Sequence, residues 1–159
     1  MAEDPPENLL PARSHPAHGV HRTLNLPTIV FLTLCTKDRR PYLAARDVHE
    51  LLLDVWRKAD AWLVGRYVVM PDHIHLFAGP VGCDMPFDPW VRFWKSQFTR
   101  RCPIEGHAWQ SDHWDRRLRN GDSYEQKWEY VRQNPVRHRL ANTADEWPFQ
   151  GELNSLPWR

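Results

Sequence analysis

His73 and His75 are the residues of this chain best placed to do chemistry, in the stretch 67–80, YVVMPDHIHLFAGP. The stretch reads as two apolar strands, 67–70 and 74–78, joined by a Pro-Asp turn. Side chains alternate faces along a strand, so His73 and His75 project together while Ile74 turns to the opposite face. Two imidazoles side by side on a rigid strand form a ready pair of ligands for a divalent metal. The plainer reading is of two surface histidines, and the pair alone names no reaction.

A second pair lies further along. Tyr130 and Asn134 are four residues apart, one turn of a helix. A tyrosine hydroxyl is a poor nucleophile near its free pKa of about 10 and needs a nearby cation to act as phenolate. An Asn134 amide oxygen can serve as a third, neutral ligand beside two imidazoles. A helix carrying both could deliver nucleophile and ligand to one ion. Taken alone, Tyr130 reads as a half-buried packing residue and Asn134 as a helix stop.

The elements that must position these residues follow from periodicity. Residues 28–36, TIVFLTLCT, are β-branched and apolar, a buried strand, and 37–41 make a charged turn. Val48, Leu51, Leu52, Val55, Trp56 and Ala59 give a helix over 46–62 one apolar face. A strand over 62–70 leads into the histidine hairpin, and 79–89 is a Pro-marked loop. A second helix over 89–101 carries Trp90, Phe93, Trp94 and Phe98 as its core stripe, with Arg92, Lys95, Arg100 and Arg101 off it. Residues 107–120 read as an extended edge segment. Asp122 or Ser123 caps a third helix, 124–134, with acidic Glu125 in its first turn. Pro135 disfavours helical backbone at the residue before it and sets the end. The first six elements follow the β-α-β-β-α-β order of a ferredoxin-like fold. We therefore expect an α+β protein, mainly antiparallel, with helices on one face and an added C-terminal helix.

Composition narrows the classes. At 159 residues, 42% hydrophobic and 26% charged, the chain is one globular domain's worth. An irregular, Pro-rich arm over 1–26, a single domain over 27–150 and a short tail over 151–159 are expected. No apolar run approaches the roughly 20 residues that span a bilayer, and the first residues lack a signal-peptide pattern. Cys35, Cys83 and Cys102 are scattered, as free thiols in a reducing cytoplasm would be. Between Val91 and Leu140 eleven Lys/Arg face six Asp/Glu, whereas the remainder is acidic. The basic half suggests a polyanion-binding surface, although a solvated charged face is the ordinary reading of any single run.

The motifs together resemble a known group. YVVMPDHIHLF, a basic aromatic helix with WKSQFTRR, then WQSDHWDRRLR, EYVRQNPVRHRLA and EWPF are similar to the REP-associated tyrosine transposases. These are single-tyrosine members of the HUH endonuclease superfamily. The likeness runs over about 28–149, with the blocks in the family's order. It implies a ferredoxin-like sheet with the tyrosine on a C-terminal helix, and nicking and rejoining of single-stranded or hairpin DNA. Tyr130 would be the nucleophile, leaving a 5′-phosphotyrosine. His73, His75 and Asn134 would hold a divalent ion, Mg²⁺ or Mn²⁺. Arg92, Lys95, Arg100, Arg101, Arg116, Arg117, Arg119, Arg132 and Arg137 would grip phosphates. The protein would be bacterial, cytoplasmic and nucleoid-associated, a monomer or homodimer. Two readings compete: an idle hairpin-DNA-binding protein of the same descent, and an unrelated metal-dependent phosphodiesterase using His73, His75 and a carboxylate such as Asp72. The chain departs from the family at Arg139, where Gly is frequent, and at Gln150-Gly151, where Ser-Ser is usual.

Overall fold

The structure, a computed structural model, describes residues 28–82, 85–118 and 124–156. The arm over 1–26, Arg119, the cap at Asp122 or Ser123 and residues 157–159 lie outside it. Five strands form one sheet in the order β4-β1-β3-β2-β5. They are β1 (Val30–Cys35), β2 (Trp62–Val69), β3 (His73–Pro80), β4 (Trp114–Arg117) and β5 (Gln150–Glu152). Each of the four pairings is antiparallel. Helices α1 (Arg46–Lys58) and α2 (Phe87–Arg101) connect the strands, and α3 (Tyr124–Val131) and the short α4 (Asn134–Arg137) follow β4. This is the expected α+β fold.

Strand alternation divides the interior into two layers. Val30, Leu32 and Leu34 of β1 and Ile74, Leu76 and Ala78 of β3 face α1 and α2, packing with Trp56, Trp90, Trp94 and Phe98. Ile29 and Phe77 face the other way, with Val68, Met70, Tyr124, Val131 and Trp147. The tryptophan load is thereby explained, since Trp56, Trp62, Trp90 and Trp94 are among the largest fully buried side chains. Their rings meet mostly edge to face, as between Trp56 and Trp94 at 5.8 Å. Phe93, expected in the core, is 46% exposed and points off α2.

The helix ends differ from expectation for local reasons. α1 stops at Lys58, and Trp62 starts β2, where it is buried. α2 begins two residues early, at Phe87, because that ring is buried against Trp62. The helix expected over 124–134 is two pieces, broken at Arg132-Gln133. Pro135 has no N–H with which to bond the Val131 carbonyl, so the ladder fails there. Gln133 N–H turns back to the Tyr130 carbonyl instead, and proline opens α4, where its missing donor costs nothing. Arg139 then takes φ 58, the left-handed conformation in which the family's frequent glycine would be easiest. β5 has no counterpart among the expected elements. It pairs with β2 through Glu152, and Leu156 beyond it is buried against Gly65, so ordered structure continues past residue 150.

Candidate active site

His73 and His75 stand at the start of β3, opposite Cys35 and Thr33 of β1. Both are buried, on the sheet face turned away from α1 and α2. Their ring centroids are 4.8 Å apart, so the two imidazoles share one small volume, as the alternation requires. Each ring is held from behind. His73 Nδ1 lies 2.7 Å from Asp72 Oδ1, and since a carboxylate only accepts, Nδ1 carries a proton. His75 Nδ1 lies 2.9 Å from the Thr33 hydroxyl, and Phe31 stacks on the His75 ring at 5.4 Å.

Asp72 is itself fixed. Arg39 Nε donates to Asp72 Oδ2 at 2.9 Å, from a turn in which Asp38 and Arg39 both have positive φ. Burial alone would push this carboxyl up, but hydrogen bonds from His73 and Arg39 outweigh it and hold it down at about 2. Asp72 is therefore a carboxylate that orients an imidazole. Sequence reasoning assigned neither the Asp72–Arg39 pair nor Thr33 to this role. The Asp72-His73 adjacency is a signal for the first, whereas Thr33 needs the strand register.

α3 lies on the same face as the histidines, with Tyr124 and Val131 buried and Tyr124 against Phe77 at 4.8 Å. Tyr130, 43% exposed, is the open tyrosine of the chain. Burial pushes Tyr67 and Tyr124 up to about 12, and the Tyr42 hydroxyl donates to the Ala108 carbonyl. Arg137 lies over the Tyr130 ring at 4.3 Å and donates to the Tyr130 carbonyl at 2.8 Å. The same guanidinium bonds the amide oxygen of buried Asn134. Lys127 stands 5.5 Å from the Tyr130 ring. The His138 ring, not singled out in the sequence, is 6.3 Å from that of His73.

Of the expected phosphate-gripping cations among the described residues, Arg137 stands at this centre and those of α2 do not. Arg92, Lys95, Arg100 and Arg101 sit on α2, in the layer covering the opposite face of the sheet. Arg101 is paired with Asp54 of α1 at 2.6 Å, and Lys95 reaches the Gln110 carbonyl. Burial lowers the Lys95 ammonium pKa. Arg132 bonds Glu129 and Asp145. Arg116 and Arg117 lie on β4, paired with Phe31 and Val30. Near that strand stands a further group that sequence reasoning does not reach: Asp88, His113 and Asp115 bring their ligand atoms within 4.8 Å of one another.

The chain, an antiparallel sheet of this order with paired histidines and an open tyrosine on one face, is similar in fold to proteins named transposases. More particularly, it resembles the REP-associated tyrosine transposases in sequence and in fold. It is 33% identical over 87 residues to the REP-associated tyrosine transposase of Escherichia coli K12, covering 54% of this chain and 52% of that one. A Haemophilus influenzae counterpart is 27% identical over 94 residues, or 51% and 53% of the two chains. The chain thus spans about half the length of the curated relatives it matches. The structure of a REP-associated tyrosine transposase bound to a REP hairpin superposes with a TM-score of 0.67 at 28% identity, covering 82% of this chain and 79% of that one. A Deinococcus radiodurans R1 protein designated a transposase shares the fold at a TM-score of 0.53 and 20% identity, over 76% and 95%. No family profile matches the chain.

Proposed function

We propose that this protein nicks and rejoins single-stranded DNA at hairpin-forming repeats through a covalent Tyr130–DNA bond. The observation that carries the reading is the open Tyr130, on a helix packed against the sheet face that holds His73 and His75. The DNA-bound transposase similar in fold supports hairpin DNA as the substrate class. We take residues 27–150 as the processing domain, working in the bacterial cytoplasm. Among the described residues no helix is long and apolar enough to cross a membrane.

The donor set fits a divalent ion. His73 carries a proton on Nδ1, so the neutral ring would offer Nε2 as ligand, and a carboxylate behind a ligating imidazole is the usual support of a metal site. His75 Nδ1 faces a hydroxyl able to accept its proton, and the Asn134 oxygen, the third ligand of this reading, would have to leave Arg137 to join them. When bound by His73, His75 and Asn134, Mg²⁺ or Mn²⁺ supplies charge stabilisation at the scissile phosphate. Tyr130 Oη loses its proton and attacks the phosphorus in line. The bond to the neighbouring 3′ oxygen breaks, and that oxygen leaves as a 3′-OH. The phosphotyrosine keeps the phosphate in ester linkage, so a 3′-OH attacking it restores the strand and returns the proton to Tyr130. Arg137 holds the nucleophile's ring and the Asn134 amide in one arrangement. Arg116 of β4, opposite Phe31 on the histidine face, offers a cation at the edge of the sheet.

The hydrolase reading asks Asp72 to be a ligand, yet both its oxygens are engaged, by His73 and by Arg39. The test compares wild type with Tyr130→Phe on a labelled single strand, resolved on a denaturing gel. The wild type leaves protein joined to the 5′ end of the cut strand, and Tyr130→Phe, which keeps the ring, loses cleavage and adduct together. An adduct that survives in Tyr130→Phe, or a wild-type cut without one, overturns the reading.

A further inference from the structure

We propose that Asp88, His113 and Asp115 form a separate divalent-cation site of the zinc class, which ties the start of α2 to β4. The proposal does not depend on the DNA chemistry above. Asp88 stands in the first turn of α2, and His113 and Asp115 precede and enter β4, with His113 25 residues on from Asp88. His113 Nε2 lies 3.2 Å from Asp88 Oδ1 and 3.2 Å from Asp115 Oδ2. The group is largely shielded, with side-chain exposures of 11% for His113, 15% for Asp88 and 9% for Asp115.

The distances suit a shared cation as well as a divided hydrogen bond. An imidazole nitrogen holds at most one proton and makes one straight hydrogen bond, and a charge-assisted N–H···O⁻ bond is about 2.7–2.9 Å. Here two carboxylate oxygens stand off the same nitrogen equally, and both are further away than that. Metal–nitrogen and metal–oxygen bonds of about 2.0–2.2 Å, opened to tetrahedral or octahedral angles, set neighbouring ligand atoms roughly 3.0–3.5 Å apart. Both nitrogen–oxygen separations fall on such an edge. One imidazole and two carboxylates neutralise a dication and suit Zn²⁺ or Mn²⁺, with water completing the shell.

The position is independent of the histidine pair. Asp115 is opposite Leu32 of β1, whose side chain faces α1 and α2, whereas Thr33, which supports His75, is opposite Trp114. The two groups thus belong to opposite faces of the sheet. A cation at Asp88, His113 and Asp115 would join an edge strand only four residues long to the helix layer.

The experiment titrates the full-length protein with Zn²⁺ alone, and separately with Mn²⁺, by calorimetry, with a thermal melt at each endpoint. Variants are Asp88→Asn, Asp115→Asn, His113→Gln and the pair His73→Ala/His75→Ala. Binding of one equivalent that persists in His73→Ala/His75→Ala, and is weakened at least tenfold when near-isosteric Asp88→Asn is added to that pair, is the expected result. The melting temperature of His73→Ala/His75→Ala rises with metal, and that rise is lost when Asp88→Asn is added. Asp88→Asn lies in a helix first turn that asparagine also tolerates, so the test does not depend on His113→Gln folding. A folded triple variant with Asp88→Asn added to His73→Ala/His75→Ala that binds as tightly as the pair alone, or a folded histidine-pair variant that binds neither metal, refutes the site.

Discussion

The contact between Asp72 and His73 sets the proton position of the imidazole that the mechanism uses. Orienting carboxylates of this kind change metal affinity by about 10–100-fold when removed. Asp72→Asn is therefore expected to weaken Mn²⁺ binding by that order while the fold is kept, measured by calorimetry and by far-UV circular dichroism. A variant that binds Mn²⁺ as tightly as wild type removes Asp72 from the site. The same residue makes an acid prediction. Its pKa is about 2 in the folded protein against the ordinary 3.8, so the unfolded chain takes up the proton first as pH falls. The stabilisation is complete above roughly pH 4 and disappears towards pH 2. Urea midpoints measured from about pH 5 downward should fall in wild type and flatten in Asp72→Asn.

The break between α3 and α4 decides how Tyr130 and Asn134 are presented. On one continuous helix the two side chains would stack a turn apart. The Arg132-Gln133 turn instead lets Asn134 be buried while Tyr130 is exposed, and Arg137 spans the gap by bonding both residues. The exit from α4 runs through Arg139 at φ 58, where a side chain is strained by about 1 kcal/mol relative to glycine. Leu140 and Ala141 N–H groups both return to the Pro135 carbonyl, closing the turn around it. Arg139→Gly is expected to raise unfolding stability by roughly 1 kcal/mol, read from urea midpoints at constant slope. A lower midpoint would mean that the Arg139 side chain contributes more than its backbone costs.

The molecule as a whole separates its heavy aromatic layer from its chemistry. α1 and α2 seal one face of the sheet with tryptophan, which leaves the other face for the histidines and the tyrosine helix. Trp94, fully buried among Trp56, Trp90 and Trp109, should cost about 3–5 kcal/mol as Trp94→Ala and lower metal or DNA affinity only through unfolding. The layering also sorts the cations. Deleting a side chain that neutralises one phosphate reduces the salt dependence of hairpin binding by about one unit of log–log slope. Arg101→Ala, whose guanidinium is committed to Asp54 on the far layer, should leave that slope unchanged in fluorescence anisotropy titrations, and Arg116→Ala, opposite Phe31 on the histidine face, should lower it. Equal changes in both would show that DNA wraps the helix layer as well.

Much of this was legible before any coordinates. Period-two alternation in YVVMPDHIHLF sent His73 and His75 to one face, because a strand has no other way to place residues two apart. The motif order carried the transposase likeness, and the β-α-β-β-α-β run of apolar elements carried the fold class, since each depends on neighbours in sequence. What lay beyond sequence depended on neighbours in space. Thr33 meets His75 across 42 positions and Arg39 meets Asp72 across 33, contacts set by strand register and by a left-handed turn. The three-residue β5 is too short to show a pattern and exists because β2 offers it an edge. The basic run between Val91 and Leu140 read as one surface, but a helix and a strand distribute it over different layers. Local periodicity determined which way each side chain points within its element. Only the tertiary structure decided which elements face each other, and so which charges meet DNA and which meet one another.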